Sequence, residues 1–203
     1  MKKQGHLLVT GYIDHRVIWC HLGLLAGCVL PDFLLPSMMK GHKIEVYGER
    51  IFERMRKLEQ EGTWNIRNSI RLGYILHYVE DFFTLAHNAK YKGNTWDHIR
   101  YENRQYMKFA RHLAPEELGM EVPEENAYHL DTDKIYVEDL REWIIKQHES
   151  YCNEISGTDT DFDYLMRAAN MVLWHYERAF ATNYMNRKLN KQSFAMNHKK
   201  AFY

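Results

Sequence analysis

The sequence has few chain breakers, no net charge and no long apolar run. Four prolines among 203 residues leave long stretches free to continue a helix. Strand-type alternation of apolar and polar residues is nearly absent, which disfavours a sheet-based fold. Lys plus Arg and Asp plus Glu balance at 27 each. Duplex nucleic acid therefore gains little long-range steering. The three cysteines, Cys20, Cys28 and Cys152, cannot all pair, and their spacing suggests no disulfide framework, which fits a reducing compartment. No apolar run reaches the length of about eighteen residues that a spanning helix needs, and Pro31 with Asp32 interrupts the best stretch. H-E-x-x-H is also missing, which argues against peptide hydrolysis by a zincin-type site.

What remains is the composition of an ordinary globular chain, 45% hydrophobic and 27% charged. Apolar residues recur every three to four positions, and this spacing predicts a series of helices. They are expected over Leu7 to Tyr12, Val17 to Cys28, His42 to Glu61, Trp64 to Phe83, Thr95 to Leu113 and Ile135 to Ile155. A final helix is expected to open at Thr160 as N-cap, with Asp163 completing a capping-box-like start. Ala114 to Asp133 is acidic, holds Pro115, Gly119 and Pro123, and reads as a loop. The polar, basic run from Asn186 to Tyr203 is expected to fray. No repeat or linker divides the chain, so the expectation is one all-α, multi-helix domain over residues 1–203. Leu25-Ala26-Gly27-Cys28 imitates a lipoprotein cleavage box, but His21 interrupts its apolar region and Asp14, His15 and Arg16 precede it. The box reads as spurious, and the expected location is cytoplasmic.

The chemistry is concentrated in HYVEDFFTLAH, residues 77–87, and HIRYE, residues 98–102. His77 and Asp81 stand four apart, as do His98 and Glu102, so each pair projects from one face of its helix. A single pair of this kind is usually a structural hydrogen bond or ion pair. Two pairs bracketing His87 are harder to dismiss. Asp81 sits among Tyr74, Leu76, Val79 and Phe82, and a buried carboxylate needs compensation that a metal can give. Imidazole nitrogens mixed with carboxylate oxygens suit zinc first. Tyr74, Phe82 and Phe83 themselves read as core packing.

These residues resemble the H-x-x-x-D-x-x-x-x-x-H and H-x-x-x-E signature of the zinc-dependent phospholipase C family, which shares its fold with zinc-dependent single-strand nucleases. The upstream half is similar too. His6 opens an apolar segment, GCVLPD runs from Gly27 to Asp32, and Gly41-His42 follows. The resemblance spans residues 6–102, about half the chain, and implies an all-α fold and two to three zinc ions. Carried over by position, it implies a first zinc on Asp32, His42, His77 and Asp81 and a second on His87, His98 and Glu102. A third would rest on His6 and the other oxygen of Asp81. In secreted members a processed N-terminal residue completes that third site, whereas this chain opens Met-Lys-Lys. Leu85 is a second departure, because the family often has proline there to bend the chain out of the helix. The six-residue offset between Asp81 and His87 requires the helix to end or distort near Thr84.

The implied activity is hydrolysis of a phosphodiester by zinc-activated water, phospholipase C-like, with Asp32 orienting or deprotonating that water. The expected partner is a phospholipid or other phosphodiester, with transient contact at a membrane surface. The alternatives are a single-strand nuclease-like phosphodiesterase, which neutral charge disfavours, and a non-catalytic metal-binding helical protein. An HD-type phosphohydrolase is set aside, since only the reversed Asp14-His15 and Asp97-His98 occur. Among the other histidines, His15 is the substitute ligand should His6 fail, with His21 near it. His112, His129, His148, His175 and His198 read as surface or core residues. Asn88 is read either as a phosphate contact or as a turn residue.

Overall fold

A computed structural model of the protein describes residues 3–7, 18–33, 42–112, 136–154 and 157–200. Six long helices carry the described chain: α1 (Ile18–Val29), α2 (Ile44–Glu61), α3 (Ile66–Phe82), α4 (Thr95–His112), α5 (Val137–Glu154) and α6 (Thr158–Lys200). Short 3-10 turns occupy Leu30–Phe33 and Leu85–His87, and residues 3–7 form one further helical turn. Among the described residues there is no strand, in agreement with the all-α expectation.

Local sequence explains most boundaries. Asn65 caps α3, its side chain accepting from the Asn68 N–H at 3.0 Å. Asn94 accepts from the Trp96 and Asp97 N–H groups while Asp97 accepts from the Asn94 N–H, a reciprocal cap at the start of α4. The expected break near Thr84 is present, with α3 ending at Phe82. Two expectations for the last helix need correction. It begins at Thr158 instead of being capped by Thr160, because Gly157, at φ 151°, adopts a conformation open to glycine that turns the chain just before it. The run from Asn186, expected to fray, is helical as far as Lys200, consistent with the absence of glycine and proline from 158 to 200. The expected loop from Ala114 to Asp133 lies outside the described residues, as does most of the expected Leu7 to Tyr12 helix.

The central element is α3, whose residues from Leu72 to Phe82 are buried on every side. On one side α1 approaches unusually closely through glycines. A Cβ added at Gly27 would lie 2.1 Å from the Ile70 carbonyl oxygen, and one at Gly73 would lie 2.1 Å from the Leu24 carbonyl oxygen. Neither position tolerates a side chain without separating the two backbones. On the other side α2 buries Tyr47, Ile51, Met55 and Leu58, the face its periodicity predicts. The long α6 is lashed to α2, with Tyr176 donating to the Met55 carbonyl at 2.8 Å. Asn183 donates to the carbonyls of Glu59 and Gly62, which the end of α2 leaves without helical partners. No helix among the described residues is long and apolar enough to cross a membrane. Cys28 is buried in the last turn of α1 as part of the core.

The glycine crossing gives a direct test. Gly73→Ala should lower unfolding free energy by about 1–3 kcal/mol through overpacking. Gly48→Ala is the control, since its new methyl would meet only movable side-chain atoms of Ile44 and Phe52 at 3.2 and 3.5 Å. It should be neutral or raise stability by up to about 1 kcal/mol through helix propensity. Denaturant titration of both variants reads the difference.

Candidate metal centre

All eight residues singled out as ligands lie within the described chain, and the fold brings them together. His6 comes from the turn at residues 3–7, Asp32 from the 3-10 turn after α1, and His42 from just before α2. His77 and Asp81 project from α3, His87 from the turn after it, and His98 and Glu102 from α4. The Lys3 ammonium lies 3.7 Å above the Phe33 ring and helps hold the N-terminal turn beside the one that carries Asp32.

The glycine crossing places the Cys28 carbonyl 2.7 Å from His77 Nδ1. Nδ1–H is the donor in that bond, which leaves a lone pair on Nε2. Nε2 faces His42 Nδ1 at 2.8 Å, Asp81 Oδ2 at 3.4 Å and Asp32 Oδ1 at 3.8 Å. His42 Nδ1 is also 2.6 Å from Asp81 Oδ2. A tetrahedral zinc with bonds of about 2.0 Å separates its ligand atoms by about 3.3 Å, and these spacings scatter around that value. The donor atoms are thus gathered as a small divalent ion requires.

His6 is wholly buried. Its Nδ1 donates to Glu80 Oε2 at 2.5 Å, and its Nε2 lies 3.4 Å from Asp81 Oδ1 without a directed hydrogen bond. The imidazole stacks at 4.0 Å on that of His77. Donor atoms of His6, Asp32 and His77 fall within 4.8 Å of one another, as do those of His42, His77 and Asp81. His77 stands in both groups, and Asp32 sits as near to His6 as to the set for which it was expected. The third group is His87, His98 and Glu102, with Glu102 Oε1 at 3.3 Å from His87 Nε2 and 3.2 Å from His98 Nε2. Asp81 joins the halves: Oδ2 faces His42 and His77, while Oδ1 faces His6 and, at 3.7 Å, His87 Nε2.

Charge in the cluster follows from burial and from Asp81. Burial opposes a charged Asp81, but the imidazoles of His87, His6 and His77 hold its carboxyl well below the usual range. Burial would also depress His6, yet the carboxylates of Asp81 and Glu80 outweigh it and hold the ring at about 9. His6 therefore carries positive charge at neutral pH beside these two carboxylates. Burial lowers His87 to about 4 and holds His77 well below its ordinary value, so both rings are neutral at pH 7. Glu102 stays ionised despite burial because His87 and His98 hydrogen-bond to it. Burial raises Asp32, although the charge on His6 partly offsets this.

Sequence reasoning missed Glu80. It lies three residues after His77 on the same helical face as Asp81, is fully buried and orients His6. That spacing was the available signal. Of the two readings of Asn88, the structure favours the turn: its Oδ1 accepts from the Lys90 N–H at 2.9 Å and its Nδ2 donates to Cys152 Sγ at 3.1 Å. His148 packs against Phe83, and His175 is buried 3.0 Å from Glu59, both away from the cluster. His21 is half-buried on α1. His15 and His129, and the side chains of His112 and His198, lie outside the description.

One comparison with known proteins gives a match. The model of the family described as zinc dependent phospholipase C matches residues 21–158. No curated protein and no solved structure matches significantly. That match covers well over half of the sequence and contains seven of the eight converging residues. The chain belongs to the zinc-dependent phospholipase C family.

Proposed function

We propose that this protein hydrolyses the phosphodiester bond of a phospholipid, on the glycerol side as in a phospholipase C, with zinc held by the eight converging residues. The observation that supports this most is Asp81, whose two oxygens face separate groups of buried imidazoles. Asp32, His42, His77 and Asp81 would hold one ion, and His87, His98 and Glu102 a second. His6, with Asp32 and Asp81 beside it, would serve a third. Bound zinc supplies positive charge for the phosphoryl oxygens and lowers the pKa of a water that can attack phosphorus.

The chain's own residues would prepare that chemistry. Cys28 fixes the tautomer of His77 through its carbonyl, and Glu80 does the same for His6 through its carboxylate. Asp32 is the carboxylate nearest to solvent in its group, and burial has raised its proton affinity. At Oδ1 it would orient the attacking water and accept its proton, consistent with the role expected of it. His98, about one-third exposed, marks the open side of the other group.

Exposed apolar residues near these ligands favour a lipid substrate over a nucleic acid. Leu30 and Phe33 flank Asp32, and Trp96 precedes His98 by two residues. Phe33 is 64% and Trp96 73% exposed. Large apolar groups beside a polar cleft suit contact with a lipid interface. The balanced charge of the chain gives a nucleic-acid substrate little long-range steering.

Purified protein should retain at least two zinc ions per chain by element analysis, and less than one after zinc loading and dialysis would refute the assignment. Asp81→Asn should reduce hydrolysis of a chromogenic phosphodiester by more than the roughly 10- to 100-fold loss typical of an outer-shell change. It should also remove zinc-dependent thermal stabilisation. His98→Ala should lose mainly one ion and most activity, while His148→Ala should change activity little. Near-parental turnover by Asp81→Asn would disprove the proposed constellation.

Trp96→Ala distinguishes the substrate. Turnover on phospholipid vesicles should fall about tenfold, as expected for removing a buried contact of roughly 1.4 kcal/mol. Turnover of the soluble phosphodiester should stay within about twofold. Equal effects on both substrates would argue against an interfacial role.

A further inference from the structure

We propose that Asp161 is a positioning residue for the second metal group, its carboxylate tying the turn that carries His87 to the helix that carries His98 and Glu102. The inference rests on the zinc assignment made under Proposed function. Asp161 lies in the first turn of α6, beyond the segment matched by the family model, and is completely buried.

Four donors converge on its two oxygens. The Leu85 N–H is shared between Oδ1 at 3.2 Å and Oδ2 at 3.3 Å. The Tyr101 hydroxyl donates to Oδ2 at 2.6 Å, and Gln105 Nε2 donates to Oδ2 at 2.9 Å. The Tyr151 hydroxyl donates to Oδ1 at 2.6 Å from α5. Three of these donors belong to the two elements that present the second metal group. Leu85 is two residues before His87, and Tyr101 adjoins Glu102. Gln105 Nε2 also reaches Thr84 Oγ1 at 3.3 Å, which makes a second link between α4 and the turn.

All four groups are donors, so the arrangement suits an ionised carboxylate, which only accepts. Burial pushes Asp161 up to about 6 while its donors act in the opposite direction, and it is charged at neutral pH. An amide at this position would turn one N–H toward a donor. A buried carboxylate is expensive unless it does what an apolar side chain cannot. Here it spans the gap between Leu85 and Tyr101 and so fixes the separation of His87 from Glu102. Leu85 opens its 3-10 turn and uses its N–H on Asp161, a donor that proline would lack.

The test uses the full chain loaded with zinc. Zinc release against a graded chelator should resolve the second-group ion, whose step is the one missing in His98→Ala, from a step that releases the remaining zinc. Asp161→Asn should weaken the second-group step about 10- to 100-fold, as other supports of metal ligands do, and leave the other step unchanged. Asp161→Ala should show the same selective loss, and adding Leu85→Pro to it should recover part, because proline presets the turn and its Cδ takes up space that the carboxylate leaves. Thr84, at φ −118° and ψ 122°, already has the extended geometry that a following proline requires. Unchanged release, equal weakening of both steps, or a selective loss without recovery by Leu85→Pro would overturn the role. Should Asp161→Asn lose its helical circular dichroism, Tyr101→Phe removes a single hydroxyl and is judged by the ratio of the two steps. A selective second-step loss in Tyr101→Phe supports the role, and an equal or absent loss refutes it. Wild-type protein holding less than one zinc ion per chain after loading would instead refute the metal assignment itself.

Discussion

Asp81 places a carboxylate at the centre of a helix that is buried on every side, and a charge there must be answered from several directions. Four imidazoles answer it: His42 and His77 at one oxygen, His6 and His87 near the other. Because each imidazole comes from a different part of the chain, compensating this one charge draws together the N-terminal turn, α2, α3 and the turn after α3. At neutral pH the imidazolium of His6 supplies positive charge. With metal bound, the ions would supply it, and His6 would act as a neutral ligand.

The scaffold makes that convergence possible by bringing α1 and α3 closer than helices with side chains at the contact can approach. Gly27 and Gly73 leave room for the two backbones, and the Cys28 carbonyl then reaches His77 Nδ1. A main-chain acceptor is a stiff support, since it moves only with its helix. Elsewhere the supports are side chains: Glu80 for His6, and the Asp161 network for the turn that carries His87. The two halves of the centre are therefore held by different kinds of anchor. One depends on helix–helix distance, the other on a buried hydrogen-bonded carboxylate.

Much of the site was legible from spacing. His77 with Asp81 and His98 with Glu102 are four apart on helices, so a local rule sufficed to place each pair on one face. The departure of His87 from the α3 helix also followed from its offset, as six residues cannot keep it on the face of Asp81. Glu80 was legible in principle by the same rule but was overlooked beside Asp81. The start of α6 was misread because Thr160 looks like a cap, whereas Gly157 sets the turn through a backbone angle that composition does not specify.

The sequence alone determined the helices, the faces on which the ligands lie and the metal chemistry those ligands suit, because each of these depends on residues a few positions apart. It did not determine which ligands share a group. His6 and Asp32 proved to stand with His77, a grouping set by how the first turns of the chain fold back onto α3. Nor did it disclose that Leu85 gives its N–H to Asp161, 76 residues later. Those contacts are fixed only when helices dock, since hydrogen bonds between distant segments depend on distances in space that no local periodicity encodes.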